Sequence, residues 1–154
     1  MDIQLKLDPS QQDVTIQVTA PQRTPQVEEL LRRLSALGRA PLRGWRGEEM
    51  TPLPQDQVVR CYAQDKRVYA SLGDGGAPYL LPERLYELEE LLDPSLFVRI
   101  SNGEIINLDQ VRAVDLSLTG TIRMTLAGGE CAYVSRRYVK KIKEALGLRK
   151  ERPG

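Results

Sequence analysis

The chain has 154 residues, 41% hydrophobic and 28% charged, with a formal net charge of +1 and no histidine. That length suits one domain, or a domain with an appendage, and leaves no room for a second enzyme-sized unit. The missing histidine removes the commonest general base and metal ligand, no apolar run approaches the roughly 18 residues of a membrane span, and MDIQLKLDPS lacks signal-peptide order, so a cytoplasmic, non-enzymatic protein is expected.

The N-terminus alternates Ile3, Leu5 and Leu7 against Asp2, Gln4, Lys6 and Asp8, then Val14, Ile16 and Val18 against Thr15, Gln17 and Thr19. Period two predicts a pair of strands joined through residues 9–13. Thr24 is a predicted N-cap with Pro25 at the first helical position. Val27, Leu30, Leu31, Leu34 and Leu37 share one helical face before Gly38. The result is a β-β-α unit whose leucine stripe must bury against a sheet or against a second copy. A break is predicted over residues 39–54, rich in Gly, Pro and Arg, with a domain boundary near Pro41.

A strand at Val58, Val59, Cys61 and Tyr62 turns through residues 64–67 into a partner over residues 68–72, and Asp74, Gly75 and Gly76 mark another turn. The spacing of Leu81, Leu85, Leu88 and Leu92 predicts a helix over residues 80–92, ended by Asp93-Pro94, with Glu83, Glu87, Glu89 and Glu90 on an outer face expected to point away from nucleic acid. Strands follow at 97–100, 104–108, 111–116, 121–126 and 130–134, with Ser101-Asn102-Gly103 and Gly128-Gly129 as turns. Ser135 is the predicted N-cap of a last helix with Val139, Ile142 and Leu146 buried and Gly147 as its stop. Asn107, beside a buried apolar pair, is expected to satisfy backbone groups. A disordered tail is expected over residues 149–154.

Residues 1–96 carry 11 basic and 15 acidic side chains, residues 97–154 carry 11 and 6, so the halves are −4 and +5. A phosphate backbone is drawn to the second half. Cys61 and Cys131 have no metal-ligand spacing, so neither a metal nor another cofactor is expected, and both suit packing on strands. An enzyme would need Cys61 or a pair such as Glu89 and Glu90 to have a partner base in a motif, and neither does. Arg136, Arg137, Lys140, Lys141 and Lys143 suit the solvated face of a helix, but cations in its first turn oppose the helix dipole, which a nearby phosphate or guanine would explain. A protein-interaction or RNA-binding module is the other reading. Aromatic content of only 5% disfavours base stacking on it.

QDQVVRCYAQDKRVYAS, LDPSLFVRISNGEIINLDQV and GGECAYVSRRYVKKIKEALG, in that order, resemble the LytTR DNA-binding domain of bacterial transcription regulators. The combination of the F-x-R strand, the I-I-N-L run and the terminal V-S-R-R-Y carries the resemblance over about two thirds of the chain. It implies a mainly β fold of elongated antiparallel sheets with short helices. That domain would occupy residues 41–148, after a β-β-α extension at 1–40 that is a dimerisation candidate. It also implies a sequence-specific regulator of double-stranded DNA whose loops enter successive major grooves and bend the duplex. Arg67, Asn102 and Arg137 are the implied base readers. Lys66, Arg99, Ser101, Ser135, Arg136, Lys140 and Lys141 are implied to contact the DNA backbone or support the readers. Ser101 departs from a histidine common in the family, Gly103 from a serine or arginine, and Tyr62 from a glutamate. The short form without a receiver domain is similar to a subgroup encoded beside a small membrane protein. That implies a regulatory membrane partner, a direct-repeat operator and a homodimer.

Overall fold

The computed structural model describes residues 1–147, with Ala36 described by its backbone alone; the expected tail at 149–154 lies outside the described residues. Helix α1 (Pro25–Leu37) starts as predicted, with the Thr24 hydroxyl accepting from the Val27 amide at 3.3 Å. It packs against a short 3-10 turn, Gln55–Gln57, and Arg32 reaches Asp109 at 3.6 Å.

The two predicted N-terminal strands are not formed. Residues 3–7 and 14–18 make no ladder, although Gln11 donates to the Asp8 carbonyl at 3.1 Å in a turn between them. Two strands are too few for a stable sheet in water without a partner surface. In this structure none is supplied.

A second correction concerns residues 39–54. The predicted break is a hairpin of β1 (Leu42–Arg46) and β2 (Glu49–Leu53) turning at Gly47, whose φ is 61°. The inward alternation of β1 uses Leu42 and then Gly44, so a search for apolar residues misses it. Glycine is required there: a Cβ on Gly44 would come within 2.6 Å of Leu53 and 2.8 Å of Tyr79. Pro52 is tolerated because β2 is an edge strand.

β3 (Arg60–Gln64) and β4 (Arg67–Ser71) form the next hairpin. The helix predicted over 80–92 is divided. Leu80 and Leu81 belong to β5 (Tyr79–Leu81), paired to β4, and α2 covers only Leu85–Leu91. Pro82 is the reason, since it disfavours helical backbone at the residue before it. The Arg84 amide then donates to Glu87 Oε1 at 3.0 Å to open α2.

β6 (Phe97–Ser101) and β7 (Glu104–Asn107) complete a seven-stranded antiparallel sheet of order β2-β1-β5-β4-β3-β7-β6. A second sheet has the order β10-β9-β8, from β8 (Val111–Asp115), β9 (Ile122–Leu126) and β10 (Cys131–Val134). The architecture is mainly β with three short helices.

Alternation sorts the side chains of the large sheet into two cores. On one face Cys61, Ile105 and Phe97 pack with Leu85, Leu88 and Leu92 around α2. On the other, Val98, Ile100 and Ile106 meet Ile122, Met124 and Leu126 of the small sheet and Ile142 of α3 (Val139–Ala145). Both faces of β7 are therefore covered, which is why Ile105 and Ile106 are adjacent and both buried. Fully buried Asn107 joins the layers as expected: its amide donates to the Val58 carbonyl at 2.9 Å, and its oxygen accepts from the Asp109 amide at 3.0 Å.

Candidate nucleic-acid interface

Three connections of this framework lie along one edge. β3 pairs with β7 through Tyr62 and Glu104, and beyond that pair the Ala63 amide donates to the Gly103 carbonyl at 2.8 Å. The β3–β4 turn and the β6–β7 turn are thus neighbours. On the far side the Ser135 amide donates to the Ile100 carbonyl at 2.8 Å, which ties the start of the last helical segment to the end of β6.

In the first turn Asp65 and Lys66 both have positive φ, 53° and 65°. A two-residue hairpin turn matched to strand twist demands this, and it is a conformation usually left to Asn-Gly. Lys66 and Arg67 stand exposed at the tip.

The second turn is braced from behind. Arg99 donates through Nε to the Ser101 carbonyl at 2.7 Å, and its terminal nitrogens hold the Asn102 carbonyl and Glu89 of α2. The Ser101 hydroxyl accepts from the Gly103 amide at 3.2 Å. Arg99 and Ser101 therefore shape the loop and Asn102 projects from it, exposed. Glu89, on the face expected to point away, is tied by this bridge directly behind the loop. A Cβ added to Gly103 would meet nothing within 4 Å, so the departure from serine or arginine removes a side chain without being forced by packing.

The third element is a single 3-10 turn, Arg136–Tyr138, leading into α3. The predicted cap at Ser135 is corrected: its side chain makes no cap bond, and its hydroxyl is buried without a hydrogen-bond partner among the described residues. Arg136 lies against Gly120, while Arg137 stacks 5.4 Å from the Tyr138 ring centre. Ile142 anchors α3 and leaves Lys140, Lys141 and Lys143 exposed. Among the described residues, none of Lys66, Arg67, Arg137, Lys140 and Lys141 forms an ion pair.

Sequence reasoning missed the ionic cluster beneath this edge. Arg60 on β3 lies 3.1 Å from Glu104 and 3.4 Å from Glu130, and it stacks over Tyr62. Ser71 donates to Glu130 at 2.5 Å. The cluster fastens the large sheet to the entry of β10 in the small one. Burial holds the Glu104 carboxyl above its ordinary value, with Arg60 opposing and Glu130 reinforcing the shift. The one available signal was a charged residue flanking the apolar pair Val58-Val59 on a predicted strand. Its two partners lie 44 and 70 positions away in the chain.

Residues 48–147 match the model of the LytTr DNA-binding domain. The chain belongs to the LytTR DNA-binding domain family. A Staphylococcus aureus (strain NCTC 8325 / PS 47) protein described as an uncharacterized HTH-type transcriptional regulator is 31% identical over 149 residues, covering 96% of this chain and 99% of its own. The corresponding protein of strain MRSA252 is 30% identical over the same length. Among solved structures, the LytTr DNA-binding domain of a Bacillus cereus protein described as a methyl-accepting/DNA response regulator superposes with a TM-score of 0.66 at 24% identity. It covers 71% of this chain and 99% of that one, and supports the fold. This LytTR chain is a DNA-binding transcriptional regulator rather than an enzyme. Its Cys61 thiol accords with that, since burial pushes it up to about 12 and leaves it inert. Between each of its helices and the next lie strands, so the described residues contain no helix-turn-helix pair. No helix among them is long and apolar enough to cross a membrane.

Proposed function

We propose that this LytTR protein reads double-stranded DNA by inserting the three turns of one edge into the major groove. Arg67, Asn102 and Arg137 contact base edges. Lys66, Lys140 and Lys141 contact phosphates, and Arg99, Ser101, Ser135 and Arg136 support them. The observation that carries the reading is the pair of backbone bonds, Ala63 to Gly103 and Ser135 to Ile100, that gathers these cations and Asn102 along one edge. Arginine and asparagine are suited to bidentate contacts with guanine and adenine, and phosphate contacts set the register of the readers. Separate turns held along one edge favour an operator of repeated half-sites on one face of the duplex.

Selection of bound sequences from random duplex DNA tests the proposal. Enrichment of a motif that loses one base preference with Arg137→Ala is expected. Failure to enrich any motif would point instead to a protein-interaction module.

A further inference from the structure

The small sheet covers one face of the large sheet at β6 and β7, where Val98, Ile100 and Ile106 are buried. Arg60 stands opposite Ile106 on that face, and Tyr62, two residues on, stands opposite Tyr69. The face then continues through Leu80 of β5 to Trp45 of β1, which is 38% exposed. Period-two alternation fixes which other residues share it. Arg67 lies two residues before Tyr69 in β4, and Arg43 lies two residues before Trp45 in β1. Both strands run antiparallel to β5 and so in the same direction, which displaces the two arginines toward the same end of the sheet, the end that carries the β3–β4 turn. Only β5 separates them, so strand spacing sets their backbones about 10 Å apart. Both are exposed, and among the described residues neither forms an ion pair.

We propose that Arg43 is a further DNA contact, made to a phosphate, which lengthens the reading edge beyond its three turns. The inference rests on the DNA-reading proposal and adds a residue that precedes the 48–147 match to the family model. Along the edge the order is Asn102 between β6 and β7, Arg67 at the head of β4, then Arg43 on β1. An edge whose turns follow the groove therefore carries Arg43 past Arg67 along the duplex. Phosphates of one strand recur every 3.4 Å of helix axis, so a 10 Å step reaches about three nucleotides further. The contact is to phosphate because Arg43 stands within a strand on a flat face, not on a projecting turn, and so meets the outside of the duplex. Its backbone is fixed from behind, where Gly44 admits the close approach of Leu53 and Tyr79. The competing role is support of Glu83, which lines the same hollow as Arg43 and keeps one carboxylate oxygen buried without a hydrogen-bond partner among the described residues. That role would show in stability and leave the salt dependence of DNA binding alone.

The test uses the full chain and a duplex carrying the sequence it enriches from random DNA, with anisotropy over a salt series, hydroxyl-radical footprinting and urea unfolding. Arg43→Ala should weaken all sequences alike and lower the slope of log affinity against log salt by about 0.9. It should also remove protection from about three nucleotides at the end of the footprint beside the base pair whose preference Arg67→Ala relaxes. Arg43→Lys should restore both, and the urea midpoint should stay at the wild-type value throughout. Unchanged slope and footprint in Arg43→Ala, while the wild type still selects its motif, overturn this proposal and leave the DNA reading standing. A lowered urea midpoint with an unchanged slope also overturns it and assigns Arg43 to Glu83. Wild-type chain that enriches no motif overturns the DNA reading and this contact with it.

Discussion

The β6–β7 turn and the 135–138 segment sit side by side on the candidate interface, but they are held in opposite ways. Behind Asn102 stands a chain of fixed charges, with Arg99 gripping two loop carbonyls and Glu89, and Arg60 gripping Glu104 at the loop's exit. Arg137 has only the face of Tyr138, and the segment is tied to the large sheet through the Ser135 amide. A short side chain such as asparagine can read a base only if its backbone is already in place. A long guanidinium can find its partner from a looser base, at the cost of side-chain entropy. On the proposed reading, anchored Arg99 shapes the loop that presents Asn102, whereas Arg137, held by Tyr138 alone, contacts a base itself.

The largest expected effect strips the support from the braced side. Arg60→Ala leaves Glu104 and Glu130 facing each other without a cation. Breaking a fully buried pair costs about 3–5 kcal/mol, and the 19% exposure of Arg60 places this one near or below the lower end, measured by urea unfolding. Arg137→Ala in the same assay should change stability by less than about 0.5 kcal/mol. Equal losses would erase the contrast between the two regions.

Next come the proposed readers. Arg137→Ala and Asn102→Ala should each lower discrimination at one base pair by about 1–3 kcal/mol in anisotropy titrations. Arg99→Ala should reproduce the Asn102 pattern without touching the preference set by Arg137. Loss of both preferences together would show that the two elements are not independent. Lys140→Ala should weaken all sequences alike and flatten the dependence of log affinity on log salt by about 0.9.

At the first turn, Lys66→Gly relieves left-handed backbone worth about 1–2 kcal/mol, less the added unfolded-state entropy of glycine. A gain of up to about 1 kcal/mol in stability is expected alongside weaker DNA binding. A destabilised variant would count against strain at that tip.

The smallest effect is on pH. Because Glu104 is raised, the folded chain holds its proton more tightly than the unfolded chain does. Its contribution is fully present below the ordinary carboxylate value and is lost as pH rises through the raised one. Asp115 is lowered, chiefly by the Ser117 hydroxyl, and acts in the opposite sense, so the comparison must be with Glu104→Gln. From about pH 4 upward, wild type should lose stability relative to that variant. A difference that does not change with pH would remove the titration from the brace.

Local pattern made much of this fold legible. Strands β3, β4 and β6 to β10 follow alternation or short apolar runs bounded by turn residues, and the Thr24-Pro25 start of α1 is a cap that needs no tertiary help. Reading failed where an inward position was filled by something other than an apolar side chain, as at Gly44, or where a leucine spacing served two elements, as at Leu81 and Leu85 across Pro82. Asn102 and Arg137 stood out by residue type beside apolar strands. Arg60, Glu104 and Glu130 did not, because a charge cluster drawn from three strand neighbourhoods has no local signature.

What the sequence determined by itself is therefore the supply of parts: period-two strands, turn residues, a basic last helix with Ile142 on its buried side, and an apolar N-terminal pattern in search of a cover. Those properties depend on neighbours within a few positions, where backbone geometry acts directly. Tertiary structure alone decided which parts meet. It placed residues 63 and 103, and 100 and 135, in hydrogen-bonded contact, set Arg60 between Glu104 and Glu130, and left the alternating N-terminal segments without strand structure. Pairing across such separations is selected by burial summed over the whole sheet, which no short window of sequence contains.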